Sequence, residues 1–180
     1  TIAPVFCGSA LTLEGVDMLL DAMVDHLPSA WESAGEVGED ASGGPVEVAC
    51  HDDAPMAAVI FNTIADPFVG KLSFVKVVAG KLSGDLVPVN ARTGQTERLG
   101  KIIYVKGKKQ EDTAFIAAGD IGAITKLDKA ITGDTLCDPN NQVVLESMTF
   151  PDPVIDVSIE PKTKADQEKL GTAIQKLAEE

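Results

Sequence analysis

Between Gly15 and Leu27 the apolar residues Val16, Leu19, Leu20, Met23, Val24 and Leu27 recur at helical spacing, while Asp17, Asp21 and Asp25 form the opposite stripe. That period predicts an amphipathic helix, and Pro28, which lacks an amide hydrogen, stops it. Six such side chains would contribute roughly 1.5–3 kcal/mol each if fully buried. The helix therefore belongs against another layer, most naturally a sheet that includes a short strand over Ala3–Cys7.

The pattern then lapses. From Ser29 to Pro45 the chain turns to Gly, Ser, Ala and Glu and ends in Ala-Ser-Gly-Gly-Pro, with too little apolar surface to offset the entropy of ordering. A linker is predicted over 31–54. Beyond it come short strand-like runs at Ala57–Ile64, Leu72–Val78, Leu86–Val89, Leu99–Val105, Ile121–Leu127 and Val143–Leu145. Turn signals separate them: Ser83-Gly84-Asp85, Thr93-Gly94-Gln95, Ala118-Gly119-Asp120 and Thr132-Gly133-Asp134. Short strands without intervening helices predict a compact antiparallel barrel over 55–149. The runs 72–78 and 99–105 are apolar on both faces, as central strands are.

After residue 150 the period changes twice. Ile155, Val157 and Ile159 alternate with Asp156, Ser158 and Glu160, the pattern of a half-buried strand. Thr163 with Asp166 resembles a capping box, followed by a helical stripe of Leu170, Ile174 and Leu177. One strand and one helix do not bury each other's faces, so 150–180 reads as the start of a further domain and the chain as an excerpt.

Charge sharpens this division. Residues 1–70 hold 12 Asp or Glu and no Lys or Arg, whereas 71–109 hold 9 Lys or Arg against only Asp85 and Glu97. The formal net charge of −13 is therefore the wrong quantity for judging partners, because a field is felt within a Debye length of about 8 Å. Lys71, Lys76, Lys81, Arg92, Arg98, Lys101, Lys106, Lys108 and Lys109 fall on successive strands and turns, where they could meet the phosphates of an RNA backbone. Tyr104 and Phe74 are the only aromatics near that run, so base stacking is not the expected mode. A solvated charged face is the plainer reading.

Other chemistry is weakly signalled. Ala65-x-x-x-x-Gly70-Lys71-Leu72 nearly fits a phosphate-binding loop, but Leu72 stands where a Mg²⁺-binding hydroxyl is needed and a strand follows instead of a helix. Cys50-His51-Asp52-Asp53 has no second cluster to complete a metal shell. His26 sits at a helix end where a cation is mildly favoured. Cys7, Cys50 and Cys137 are odd in number and widely spaced, which points to reduced thiols in the cytoplasm. No apolar run approaches the roughly 18–20 residues of a membrane span, and the chain does not open on the basic stretch of a signal peptide.

The order of segments resembles bacterial elongation factor G. Ala65-Asp-Pro-Phe-Val-Gly-Lys-Leu-Ser-Phe followed by Ala79-Gly-Lys-Leu-Ser-Gly is similar to the opening of that family's second domain, and Ala118-Gly-Asp-Ile and Thr132-Gly-Asp-Thr-Leu-Cys137 to its later hallmarks. Phe150-Pro-Asp-Pro-Val-Ile and Ile159-Glu-Pro-Lys-Thr-Lys-Ala-Asp-Gln-Glu-Lys-Leu170 resemble the start of the third domain. Pro4-Val-Phe-Cys-Gly-Ser-Ala10, Gly15-Val16 and Leu27-Pro28-Ser29 resemble the end of the GTPase domain. Two departures stand out: Val105-Lys-Gly-Lys-Lys109 is more basic than the family pattern, and Ile124-Thr-Lys-Leu127 replaces a usual Gly-Leu pair. They leave open a main elongation factor, a second paralogue or a ribosome-protection relative.

The resemblance implies a mostly β chain: an α/β remnant of the GTPase domain at 1–30, the linker, a translation-factor-type barrel at 55–149, and the βα start of a ferredoxin-like domain at 150–180. It implies a parent that uses GTP and Mg²⁺ to drive ribosomal translocation, or to assist ribosome recycling, in the cytoplasm, with no membrane or DNA partner. The barrel would dock on small-subunit ribosomal RNA and pack against the GTPase domain to relay its nucleotide state. Within this chain only Ser9 and Ala10 match the nucleotide site, where the family's backbone amides recognise guanine. One or two hydrogen bonds worth about 1 kcal/mol net each do not hold a nucleotide, so the excerpt itself is expected to have no cofactor, no catalytic residues and no GTPase activity. The alternative is a free-standing barrel that binds RNA or protein with no enzymatic parent.

Overall fold

A computed structural model describes residues 3–33, 35–66, 70–145 and 151–178. It divides into two compact units, Thr1–Ser33 and Ala34–Glu180.

In the first unit the predicted helix forms as α1, Val16–His26. Gly15 precedes it at φ 76°, and a Cβ there would lie 2.6 Å from the Cys7 carbonyl oxygen, so conformation and space both demand glycine. The loop ahead of it closes when the Ser9 amide donates to the Glu14 carbonyl at 3.0 Å. At the far end the Leu27 amide reaches Met23 O at 3.1 Å and Pro28 follows. The expected strand over 3–7 does not form: these residues are exposed and have no ladder partner among the described residues, and a strand exists only as a hydrogen-bonded neighbour of another. Accordingly Leu19, Leu20, Met23 and Val24 keep 40–82% of their surface open.

The second unit opens with β1, Glu36–Asp40, and β2, Pro45–Val48. These correct the linker reading of 31–54. Glu36 pairs with Val48 and Gly38 with Val46 across a turn in which Asp40 accepts from the Ser42 and Gly44 amides at 2.8 and 2.9 Å. Local turn chemistry thus offsets ordering entropy that the composition alone leaves uncompensated.

The barrel follows: β3 (Ala57–Asp66), β4 (Gly70–Ala79), β5 (Leu82–Ser83), β6 (Val89–Asn90), β7 (Gln95–Thr96), β8 (Ile102–Lys106), β9 (Lys109–Asp112), β10 (Phe115–Ile116), β11 (Ile121–Thr125), β12 (Thr135–Cys137) and β13 (Val143–Val144). The main sheet is eight-stranded and antiparallel in the order β7-β6-β12-β3-β4-β11-β8-β9. β5 pairs with β10, and β13 joins β1 and β2 in a three-stranded sheet. Met56, Ala58, Ile60, Val75, Val77, Leu82, Ile102, Ile116, Ile124, Leu127, Ala130 and Leu136 make the principal core.

Along β4, Leu72, Phe74 and Val78 alternate with Val75 and Val77, and both sets are covered. Val78 joins Ala57, Val89, Cys137, Val143 and Leu145 in a second cluster, and Leu72 joins Ile103 and Ala123 in a third. This is why the strand reads apolar on both faces. Two turn residues show how tightly the chain is folded here. Gly80 has φ 68° and would place a Cβ 2.6 Å from Ala54 O, whereas Lys126 adopts φ 58° without being glycine.

At 154–160 the predicted strand does not form: the residues are exposed and irregular, without a ladder partner among the described residues. The helix after them, α2, runs Lys164–Ala178. Its cap is as expected, with Thr163 Oγ1 donating to Asp166 at 2.6 Å and accepting from the Asp166 amide at 3.3 Å.

Candidate polyanion-binding face

The nine cations singled out from the sequence do not share one face. Lys71 and Lys76 lie on β4 in mid-sheet; Arg92 and Arg98 flank β7 at one edge; Lys101, Lys106, Lys108 and Lys109 belong to β8, β9 and their flanks at the other. Lys81 lies between β4 and β5.

Seven of them are engaged within the chain. Lys71 Nζ donates to the Ala130 carbonyl at 2.7 Å. Lys76 meets Glu36 at 2.6 Å and so ties β4 to β1. Lys81 pairs with Asp52 at 3.1 Å and lies 5.6 Å from the centre of the Phe115 ring. Lys101 pairs with Asp112 at 3.0 Å, and Lys106 and Lys109 converge on Glu111 at 3.3 and 2.7 Å. Hydrogen bonds from Lys109 and then Lys106 hold the Glu111 carboxyl below its ordinary pKa. Such exposed pairs are screened by solvent and weak enough to exchange for a phosphate.

Arg92 is different. Its Nε and Nη2 grip Asp134 at 2.5 and 2.9 Å, while the same carboxylate accepts from Asn90 Nδ2 at 2.7 Å and the Ile131 amide at 3.0 Å. Asp134 is only 3% exposed. Burial pushes its pKa up, but hydrogen bonds from Arg92, the Ile131 amide and Asn90, with the Arg92 charge, overcome that and hold it below the usual carboxylate range. The same contact raises the Arg92 pKa. Arg92 thus staples the β6–β7 hairpin to the turn before β12. Asp134 carries a role that the sequence signalled only as part of a turn.

Arg98 and Lys108 are exposed and have no side-chain partner among the described residues. Lys108 sits at the tip of the β8–β9 hairpin, after Gly107 at φ 62°. That is the glycine-first arrangement of a tight hairpin turn. Lys106, Lys108 and Lys109 against Glu111 leave this tip with a local excess of two positive charges.

Beside the tip, a groove is lined by Ile64, Asp66, Leu72, Phe74, Val105, Gly107, Lys108 and Gln110. The β3–β4 register slips between Ile60 and Asn62, and the bulged residue, Phe61, comes to rest 6.3 Å from Phe74, ring centre to ring centre. Sequence reasoning missed this pairing because a bulge reverses the side on which the following residues of a strand fall. Tyr104 is engaged otherwise: its hydroxyl donates to Asp120 at 2.8 Å. Burial and that bond push its pKa up to about 12.

The remaining candidates resolve simply. Gly70, at φ 79°, opens β4, and no helix N-terminus follows Lys71. Asp52 serves Lys81 and the Ala118 amide, and no cluster of three metal-binding side chains occurs among the described residues. Burial raises the Cys50 pKa. In the first unit the Ser9 amide is spent on Glu14 O, and Ser9 Oγ accepts from the Thr12 amide at 3.3 Å. Of the two guanine-reading amides expected there, only that of Ala10 lacks an acceptor among the described residues. These residues alone do not fit a GTP–Mg²⁺ site. Among the described residues no helix is long and apolar enough to cross a membrane.

Comparison with known proteins matches residues 55–139 to elongation factor G domain 2 and residues 150–180 to elongation factor G domain III. A crystal structure of a protein from Thermus thermophilus is 25% identical with a TM-score of 0.71, over 92% of this chain and 23% of that one. The chain thus spans about a quarter of the length of that neighbour.

Proposed function

Because this chain belongs to the elongation factor G family and is a translation factor by its domains, we propose that it serves a protein that promotes GTP-dependent ribosomal translocation. The single observation that carries this reading is the succession of a domain 2 match and a domain III match, in family order, on one chain. In this reading GTP and Mg²⁺ are bound by a GTPase domain to which residues 1–30 contribute. The barrel is the ribosome-binding and relay module, and the protein works in the cytoplasm. Arg98 and Lys108 are the cations free to meet small-subunit ribosomal RNA without first breaking a pair. The other seven would exchange an intramolecular acceptor for a phosphate, and Arg92 would do so at the greatest cost.

The test is GTP hydrolysis by the full-length protein with and without ribosomes. Strong stimulation by ribosomes, lost when the segments ahead of Thr1 are removed, is the expected result. Hydrolysis indifferent to ribosomes would refute it. An open reading frame that starts near Thr1 would instead favour a free-standing interaction module.

A further inference from the structure

We propose that the groove between the β3–β4 and β8–β9 hairpins receives an unstacked RNA base, with Phe74 as its stacking platform and Lys108 on the adjoining phosphate. This rests on the ribosome-docking reading above and narrows it to one face. Three observations converge on that face.

The floor is aromatic and aliphatic: among the residues that line it Phe74 and Val105 are half-buried and Ile64 is 37% exposed. One wall is the hairpin tip with its excess of two positive charges and the unpartnered Lys108. The one acid among the described lining residues, Asp66, already has a partner within the protein.

The occupant follows from what the floor lacks. At Leu72 and Phe74 the main chain of β4 is paired on both sides, with β3 and β11, so an extended peptide would find no ladder to join over the aromatic floor, only along β9 at the end of the sheet. A flat, anionic polymer needs none: a base uses its π face and its phosphate uses the ammonium. The other unpartnered cation, Arg98, lies beyond β7 at the opposite edge of the sheet.

The test uses the full-length protein and purified small ribosomal subunits, with binding measured across a salt series. Phe74→Leu keeps the apolar bulk and removes the ring; it should weaken binding about tenfold or more, and Phe74→Tyr should restore it. Lys108→Ala, on an exposed turn that does not threaten folding, should lower the salt slope by about one. Unchanged binding by Phe74→Leu with an unchanged slope for Lys108→Ala would overturn the groove while leaving ribosome docking intact. Failure of the unaltered protein to bind would overturn both. Binding that persists after the exposed RNA of the subunit is digested would assign the groove to a protein partner and overturn the RNA occupant.

Discussion

Lys126 carries a side chain, yet its backbone is left-handed at φ 58°, a conformation that favours glycine. For a residue with a Cβ that conformation costs about 1–2 kcal/mol. The Lys126 side chain is exposed and joins no ion pair among the described residues, while its amide donates to Lys71 O at 3.0 Å, a bond glycine can make equally well. Lys126→Gly therefore relieves the strain and sacrifices no contact. Against this, glycine loses about 0.5–1 kcal/mol more conformational entropy on folding. The net expectation is a stabilisation of about 0.5–1 kcal/mol, or about 2–8 °C in melting temperature for a domain of this size. Thermal melting followed by far-ultraviolet circular dichroism is the suitable assay, because it follows the backbone of the barrel itself, whereas Trp31, the single tryptophan, belongs to the first unit. Lys126→Ala is the control, since it removes the same side chain and keeps the strain. Equal melting of the Gly and Ala variants would refute the argument from backbone strain.

The Arg92–Asp134 staple should be asymmetric. Asp134→Ala, which strips three donors of their acceptor, should cost about 2–4 kcal/mol in urea unfolding, and Arg92→Ala less, because Asn90 and the Ile131 amide still serve the carboxylate. Since the folded pKa of Asp134 is lowered, its contribution is complete above the ordinary Asp value of about 3.9 and is lost as pH falls through the folded pKa, so the gap between the protein and Asp134→Asn should narrow in acid. The single tyrosine gives a clean titration: phenolate absorbance should rise only near pH about 12, and Asp120→Asn should lower that midpoint partway, leaving the share due to burial. With the folded pKa raised, this group's stabilisation is present below its ordinary value of about 10 and fades as pH rises through the folded one. A Cβ on Gly38 would lie 2.6 Å from Val143 Cγ2 and 2.9 Å from Val144 O. Gly38→Ala should therefore speed hydrogen exchange in 36–48 and 143–145 at a cost of about 1–3 kcal/mol, and leave β3 and β4 protected.

The long central strands and both helices were legible because their periods are strong and long, from Val16 to Leu27 and from Leu72 to Val78. The shortest strands, such as Leu82–Ser83 and Phe115–Ile116, carry no period at all; only pairing defines them. The hairpin over 36–48 was hidden by its Gly- and Glu-rich composition, since its order comes from turn bonds at Asp40 and from β13, about a hundred residues on. Conversely, 3–7 and 154–160 carry strand patterns that find no ladder partner among the described residues, because alternation encodes a face to bury and not the neighbour that buries it. For the site, charge position was legible and charge pairing was not. The acids that claim Lys76, Arg92 and Lys101 lie at Glu36, Asp134 and Asp112, 40, 42 and 11 residues away. Phe61 escaped notice because its place beside Phe74 depends on a bulge that no local pattern announces.

The most direct test of the central claim is a single-particle reconstruction of the full-length protein held on the ribosome. The expected result is barrel density against small-subunit RNA, with the β8–β9 tip and Phe74 turned toward it. A barrel that faces solvent, or that contacts the ribosome only through its opposite edge at Arg92 and Arg98, would contradict it.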